Sequence, residues 1–174
     1  MKGLNTKIWF LKLLFLTIVF FFDISLFFAQ PVLPQRTVTV TATQAINFGT
    51  FYITGSSGGT ITVGYDGSRT STGDVALLAI SPTAQPAIFE VKLCQGRNIT
   101  VTFDATSFLS GNNGGSLTFD IGPTEKGGNN ASFIVNSDCN FITPLRVGGT
   151  LHIPSGTVIT GIYSGSFDIT FNQN

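Results

Sequence analysis

The sequence predicts an all-β protein, built as an antiparallel sandwich. Three observations carry this. Short runs alternate apolar and polar residues with period two, most strictly in Gly161 to Phe171 (GIYSGSFDITF). There Tyr163, Gly165, Phe167, Ile169 and Phe171 share one face, and Ser164, Ser166, Asp168 and Thr170 the other. Such runs recur about every 10–15 residues with Gly, Asn and Pro between them, the spacing of a sandwich rather than of βαβ units. Beyond the first 29 residues no window carries a helical 3.6-residue apolar period.

Residues 1–29 read as a cleavable leader. Lys2, Lys7 and Lys12 form a positive leader, Leu11 to Phe28 is almost wholly apolar, and Ala29 supplies a small residue before Gln30. A membrane anchor is the rival reading, but Leu13 to Phe22 is short for a span of about 20 residues before Asp23 intervenes. No cysteine stands near the cleavage point to make a lipoprotein. Without the leader, 145 residues remain, with six Lys/Arg against eight Asp/Glu. That length suits one domain, placed at 46–174 after an arm or first strand over 30–45. The weak acidic balance argues against nucleic acid, which requires a basic face. Once the leader is removed, no stretch suits a stable membrane span. The expected location is therefore the periplasm, the cell surface or the medium.

Cys94 and Cys139 are the only cysteines. An even pair in an exported chain points to a disulfide, closing a loop of about 46 residues and contributing about 4 kcal/mol by chain entropy. Free structural thiols are the alternative, and the absence of C-x-x-C spacing argues against a redox pair.

Taken in order, Pro31 and Pro34 keep the start of the mature chain extended. RTVTVTATQAINFG then sets Val38, Val40, Ala42, Ile46 and Phe48 on one parity and threonines on the other, with Gln44 the polar interruption. β-Branched residues favour the extended backbone here. Phe51 to Ile53 leads into the loop Gly55–Gly59. Ile61, Val63 and Tyr65 alternate up to an Asp66-Gly67 turn, and polar Ser68 to Asp74 precedes Val75 to Ile80. Phe89, Val91 and Leu93, then Ile99, Val101 and Phe103, form two runs joined by a connector that reads as a hairpin turn, residues 94–98. Leu117, Phe119 and Ile121 follow the Gly/Asn-rich loop 111–115. Ala131 to Val135 and Phe141 to Val147 come next. Leu151 and Ile153 lie beyond Gly148-Gly149, which marks a tight turn or a bulge.

Chemistry is sparse. His152 is the one histidine, opposite in parity to Leu151 and Ile153, so it reads as an exposed strand position. No metal-ligand spacing is visible. Asp66-Gly67-Ser68 matches only a fragment of a calcium loop and reads as a turn. No phosphate loop and no G-x-S-x-G elbow is present. Asp104, Asp120 and Asp138 pair as glycosidase carboxylates only if space brings them together. With the leader removed there is no Trp platform for sugars. A non-enzymatic protein without cofactor or metal is expected.

The edges of the sandwich are the stronger clue. A seven-strand immunoglobulin sandwich closes with a last strand pairing in one sheet. Here the last strong run is followed only by Asn172-Gln173-Asn174, while a long alternating arm stands near the start. Unpaired edges are templates for strand addition. The rival reading makes Thr37 to Thr43 simply the first strand of its own domain.

The stretches INFGTF (46–51), TITVGYDGSRTSTGDVALL (60–78), PAIFEVKL (86–93) and LRVGGTLHIPSGTVITGIYSGSFDITF (145–171) resemble a family of secreted bacterial β-domains known only as a domain of unknown function. That family is similar to spore-coat-U-like proteins and archaic chaperone–usher pilin subunits. The resemblance covers nearly all of the mature chain and brings no catalytic residues. It implies an immunoglobulin-like fold, export, and a role as a fimbrial subunit. Two features depart from the pilin pattern. The cysteines are Cys94 and Cys139 rather than one near the mature N-terminus, and Gln44 interrupts the arm. On this reading Val38, Val40 and Ala42 are donor-strand residues. Phe167, Ile169 and Phe171 flank the acceptor edge. Like subunits, a periplasmic chaperone and an outer-membrane usher are the partners. The alternative is a self-contained binding module, with ligand loops at 55–59, 66–74 and 111–115.

Overall fold

In a computed structural model, the residues described are 9, 12–15, 38–93, 98–136, 138 and 140–173. The chain divides into two units, Met1–Gln35 and Arg36–Asn174. In the first, Trp9 and residues 12–15 are helical. Among the described residues no helix is long and apolar enough to cross a membrane. The rest of the expected leader, and both Cys94 and Cys139, lie outside the described residues.

The second unit is all β, in antiparallel sheets. Among the described residues its strands are β1 (Val38–Gln44), β2 (Phe51–Ile53), β3 (Gly59–Val63), β4 (Arg69–Gly73), β5 (Val75–Leu77), β6 (Ala87–Leu93), β7 (Asn98–Phe103), β8 (Thr106–Gly111), β9 (Ser116–Thr124), β10 (Ser132–Ile134), β11 (Thr143–Ile153), β12 (Tyr163–Ser164) and β13 (Ile169–Gln173). The large sheet runs β1-β6-β11-β9-β8-β12, with β3 on β11 and β4 on β3. A second sheet runs β10-β7-β13, and β2 pairs with β5.

The strand β11 organises the large sheet. Along one edge its first half pairs with β6, Thr143 opposite Val91 through Val147 opposite Ala87. Its second half pairs with β3, Gly149 opposite Val63 through Ile153 opposite Gly59. Along the other edge it meets β9, with a register shift between Val147 and Gly149. The Gly148-Gly149 step is therefore a bulge within one continuous strand, not a turn. A Cβ on Gly148 would stand 2.5 Å from the Val63 carbonyl oxygen, so only glycine lets β3 approach there.

The core holds the residues that parity assigns to it. Ile61, Val63, Val91, Leu93, Leu117, Phe119, Leu145, Val147 and Leu151 from the large sheet meet Ile99, Val101, Phe103 and Phe133 from the smaller one, all buried. Alternation sends one side of every strand inward, and burial of these side chains at roughly 25 cal/mol per Å² drives the two layers together.

Three expectations need correction. The run Gly161–Phe171 is not one strand. Its start, β12, pairs with β8 in the large sheet, and its end, β13, pairs with β7 in the smaller. Tyr163, Phe167, Ile169 and Phe171 keep one parity because the inner faces of both layers point at the same core. Gly165 allows the crossing, since a Cβ there would stand 2.3 Å from the Phe108 carbonyl oxygen. The runs 89–93 and 99–103 do not form a hairpin either: β6 pairs with β1 and β11, whereas β7 pairs with β10 and β13. The supposed polar loop 68–74 contains β4, an edge strand whose Thr/Ser composition hides its period.

Arg69, on β4, ties this edge to the β2–β5 pair. Its guanidinium donates to the carbonyls of Thr50 (2.8 Å) and Leu78 (3.1 Å), and partial burial draws its pKa below the ordinary arginine value. Arg69→Ala is expected to lower unfolding free energy by about 1–3 kcal/mol, because partly buried carbonyls lose a charged donor. Urea denaturation measures this, and a change under about 0.5 kcal/mol would contradict the assignment.

Candidate functional site

β1 pairs in cis on β6, with Val38 opposite Leu93, Val40 opposite Val91 and Ala42 opposite Phe89. Ladder pairing fixes these three side chains on the core side of the strand, yet the core does not cover them. Val40 is 37% exposed whereas Val91 beside it is 0%, and Ala42 is exposed as well. At the edge of the other sheet, β13 pairs with β7 alone, Ile169 opposite Phe103 and Phe171 opposite Val101. Between β1 and β13 runs a groove of about 450 Å³ lined by Val38, Val40, Ala42, Phe89, Ile169 and Phe171. Its floor is the ring of Phe89, with centroid 6.0 Å from Phe171 and 6.2 Å from Phe167.

Strand order explains why the groove is open. The sequence β1-β6-β11-β9 reproduces the A-B-E-D sheet of an immunoglobulin sandwich, and β7-β13 reproduces C-F of the facing sheet. The seventh strand, G, would pair with the free edge of β13 and cover the inner face of β1. Among the described residues nothing pairs there. Two unpaired strand edges thus flank one apolar trough. Such edges leave main-chain N–H and C=O groups available to an incoming strand.

The residues expected on the donor and acceptor sides meet here in one chain. Val38, Val40 and Ala42 form one wall, and Ile169 and Phe171 the other. Phe167 sits beneath, stacked edge-on against Phe89 and Phe119. Phe89, the floor, was legible only as a core-parity residue, because nothing in the sequence says which core residue a missing strand uncovers.

A scan against protein families matches residues 38–172 to a domain of unknown function, DUF4402. The chain belongs to this family. The match spans β1 through nearly all of β13, so both walls of the groove lie inside the DUF4402 domain. No curated protein and no solved structure matches the chain.

The other sites of interest in the DUF4402 domain are structural or scattered. His152 Nε2 lies 2.7 Å from an Asp120 carboxylate oxygen across two strands of the large sheet. Asp66 forms a turn, its carboxylate accepting from the Ser68 hydroxyl (2.6 Å) and amide (3.0 Å). Those bonds hold its carboxyl below the usual aspartate pKa. Among the described residues no three His, Cys, Asp or Glu side chains gather as a metal site. Of the glycine-rich loops, 55–59 and the end of 66–74 meet at Asp74, whose amide donates to the Gly58 carbonyl (2.8 Å). The loop 55–59 leads into β3, and the Asp66 turn follows the far end of that strand, about 16 Å away at strand rise. The loop 55–59 is tied to the end of 66–74, the Ser57 amide donating to the Asp74 carboxylate (2.8 Å). Residues 111–115 are a hairpin turn between β8 and β9, closed by the Gly111 amide donating to the Gly115 carbonyl.

Proposed function

We propose that this chain is a non-enzymatic, exported structural subunit of a surface fibre, assembled by β-strand addition as pilin subunits are. The observation that carries the reading is an apolar groove between β1 and β13, flanked by strand edges that pair with nothing among the described residues. An extended segment of a neighbouring copy fills it. Main-chain pairing to β13 supplies affinity, and alternate apolar side chains entering the groove supply register. The segment Thr37–Ala42 has the matching pattern in Val38, Val40 and Ala42. In the single chain it pairs with β6, so to enter a neighbour's groove beside β13 it must first leave β6. Burial favours such release: of the seven residues of β1, only the first and last are even half-buried. One donor and one acceptor per copy make a heterologous contact, which propagates as an open fibre. The basic, apolar leader supports export, and a periplasmic chaperone and an outer-membrane usher are the partners of this assembly route.

Light scattering on the purified exported protein tests this, alongside gels with and without boiling in detergent. The expected result is a ladder of detergent-resistant multimers that collapses on boiling and disappears when residues 30–43 are deleted. A monodisperse monomer that folds without a chaperone overturns it. That outcome favours a self-contained binding module, with β1 as the first strand of its own domain.

A further inference from the structure

The outward face of the large sheet, remote from the groove, carries a second arrangement. Phe108 on β8 projects from this face with 65% of its surface exposed, beyond Thr118 of β9 in the ladder. Thr118 in turn stands opposite His152 of β11. In the next row Thr106, Asp120 and Thr150 lie side by side. Further along, Thr60 bonds Thr72 (2.8 Å) and Thr62 bonds Thr150 (3.0 Å). On the outward positions of β4, β3, the second half of β11, β8 and β9 as far as Asp120, the titratable side chains are His152 and Asp120, which pair with each other. The result is a field of hydroxyls without net charge, with one bare aromatic ring.

Asp120 also borders a surface cleft of about 460 Å³, whose walls include Phe103, Ala105, Ile121 and Pro123. Ring and ion pair share the outward face, and the cleft opens beside Asp120 toward the core-side residues Phe103 and Ile121. From Thr118 to Pro123 the strand advances about 17 Å.

We propose that this face binds a neutral glycan chain laid along β8 and β9. A sugar has an apolar C–H face and a rim of hydroxyls. Phe108 takes the apolar face of one ring, and the Asp120–His152 pair takes neighbouring hydroxyls, Asp120 accepting and the imidazole completing the contact. The Pro123 cleft seats a further unit. An uncharged ligand matches the face, because any net charge on it would meet no counter-charge among these strand positions. The groove between β1 and β13 lies at the opposite side of the sheet, beyond β11 and β6, so a copy within a fibre keeps this face free. The glycan site does not depend on the fibre reading.

Affinity electrophoresis of the full exported protein tests it, in gels containing dextran, soluble starch, galactomannan or mixed-linkage β-glucan. At least one should retard the protein, and added salt should not release it. Phe108→Ala should weaken retention about three- to tenfold, the range for loss of an aromatic contact, and Asp120→Asn should weaken it too. Because Phe108 is exposed, its variant should keep the wild-type thermal midpoint. Absence of retardation by any of the four polysaccharides overturns the proposal, as does equal retention in wild type, Phe108→Ala and Asp120→Asn.

Discussion

Phe119→Ala is expected to cost about 3–5 kcal/mol, the largest stability loss of any single truncation in this domain. Phe119 is 1% exposed. Its ring meets Phe48 edge-on at 5.9 Å and Phe167 at 5.8 Å. It therefore joins three parts of the chain: β9, the segment before β2, and the stretch where the chain crosses from one sheet to the other. Truncation removes the transfer free energy of the ring and leaves a cavity between strands that cannot collapse without breaking ladders. Against a total of roughly 5–15 kcal/mol for a domain, this is about a fifth of the stability or more. The thermal midpoint should fall by roughly 10–20 °C. Ile121→Val, which removes one methylene at the end of the same row, should cost only about 0.5–1.5 kcal/mol. A loss below about 1 kcal/mol for Phe119→Ala would show that the aromatic cluster is not the centre of the core.

Ile169→Glu is expected to abolish acceptance of a neighbour's strand while leaving the copy able to donate. Ile169 is half-buried on the groove wall, so the unbound subunit tolerates a carboxylate there at modest cost. Once a strand covers the groove, the charge loses water without gaining a partner. A penalty of a few kcal/mol weakens association roughly 100-fold or more. A copy lacking residues 30–43 has the opposite defect: it keeps the β13 wall but has no strand to give. Separately, both variants should be monomeric by light scattering. Mixed, they should form a pair that stops at two copies, because the Ile169→Glu copy supplies the strand and the deleted copy receives it. Long multimers from the Ile169→Glu protein alone would refute strand entry at β13. Failure of the mixture to pair would refute donation by residues 30–43.

Much of the fold was legible in residue order because alternation is a local property. Val91, Leu93, Ile99, Val101, Leu117, Phe119 and Leu151 each declare their inward side by the polar neighbours on either hand, and all are buried. The elements that escaped are those whose period is masked by composition. β4 reads RTSTG, with hydroxyls on both faces and one arginine turned to carbonyls rather than water. β8 reads TSFLSG, where exposed Phe108 and inward Leu109 adjoin and cancel the pattern.

The groove was half legible. Both of its walls stood out in the sequence as strong alternating runs near the two ends of the DUF4402 domain, and each was marked as an edge. Their meeting was not readable, because it depends on β6 carrying β1 in one sheet while β7 carries β13 in the other. Pairing between distant strands is set by global packing, and no local pattern encodes it. The same holds for Phe89: its parity assigns it to a core, but only the approach of β1 and β13 from different sheets makes it the floor of a groove. By itself the sequence determined the class of the fold, the inward face of most strands and the alternation of Val38, Val40 and Ala42 with threonines. Only the tertiary structure decided which sheet each strand joins, where the chain crosses layers at Gly165, and that two free edges face one apolar trough. The physical reason is that hydrophobic periodicity is written residue by residue, whereas strand order and the exposure it leaves arise from satisfying every strand at once.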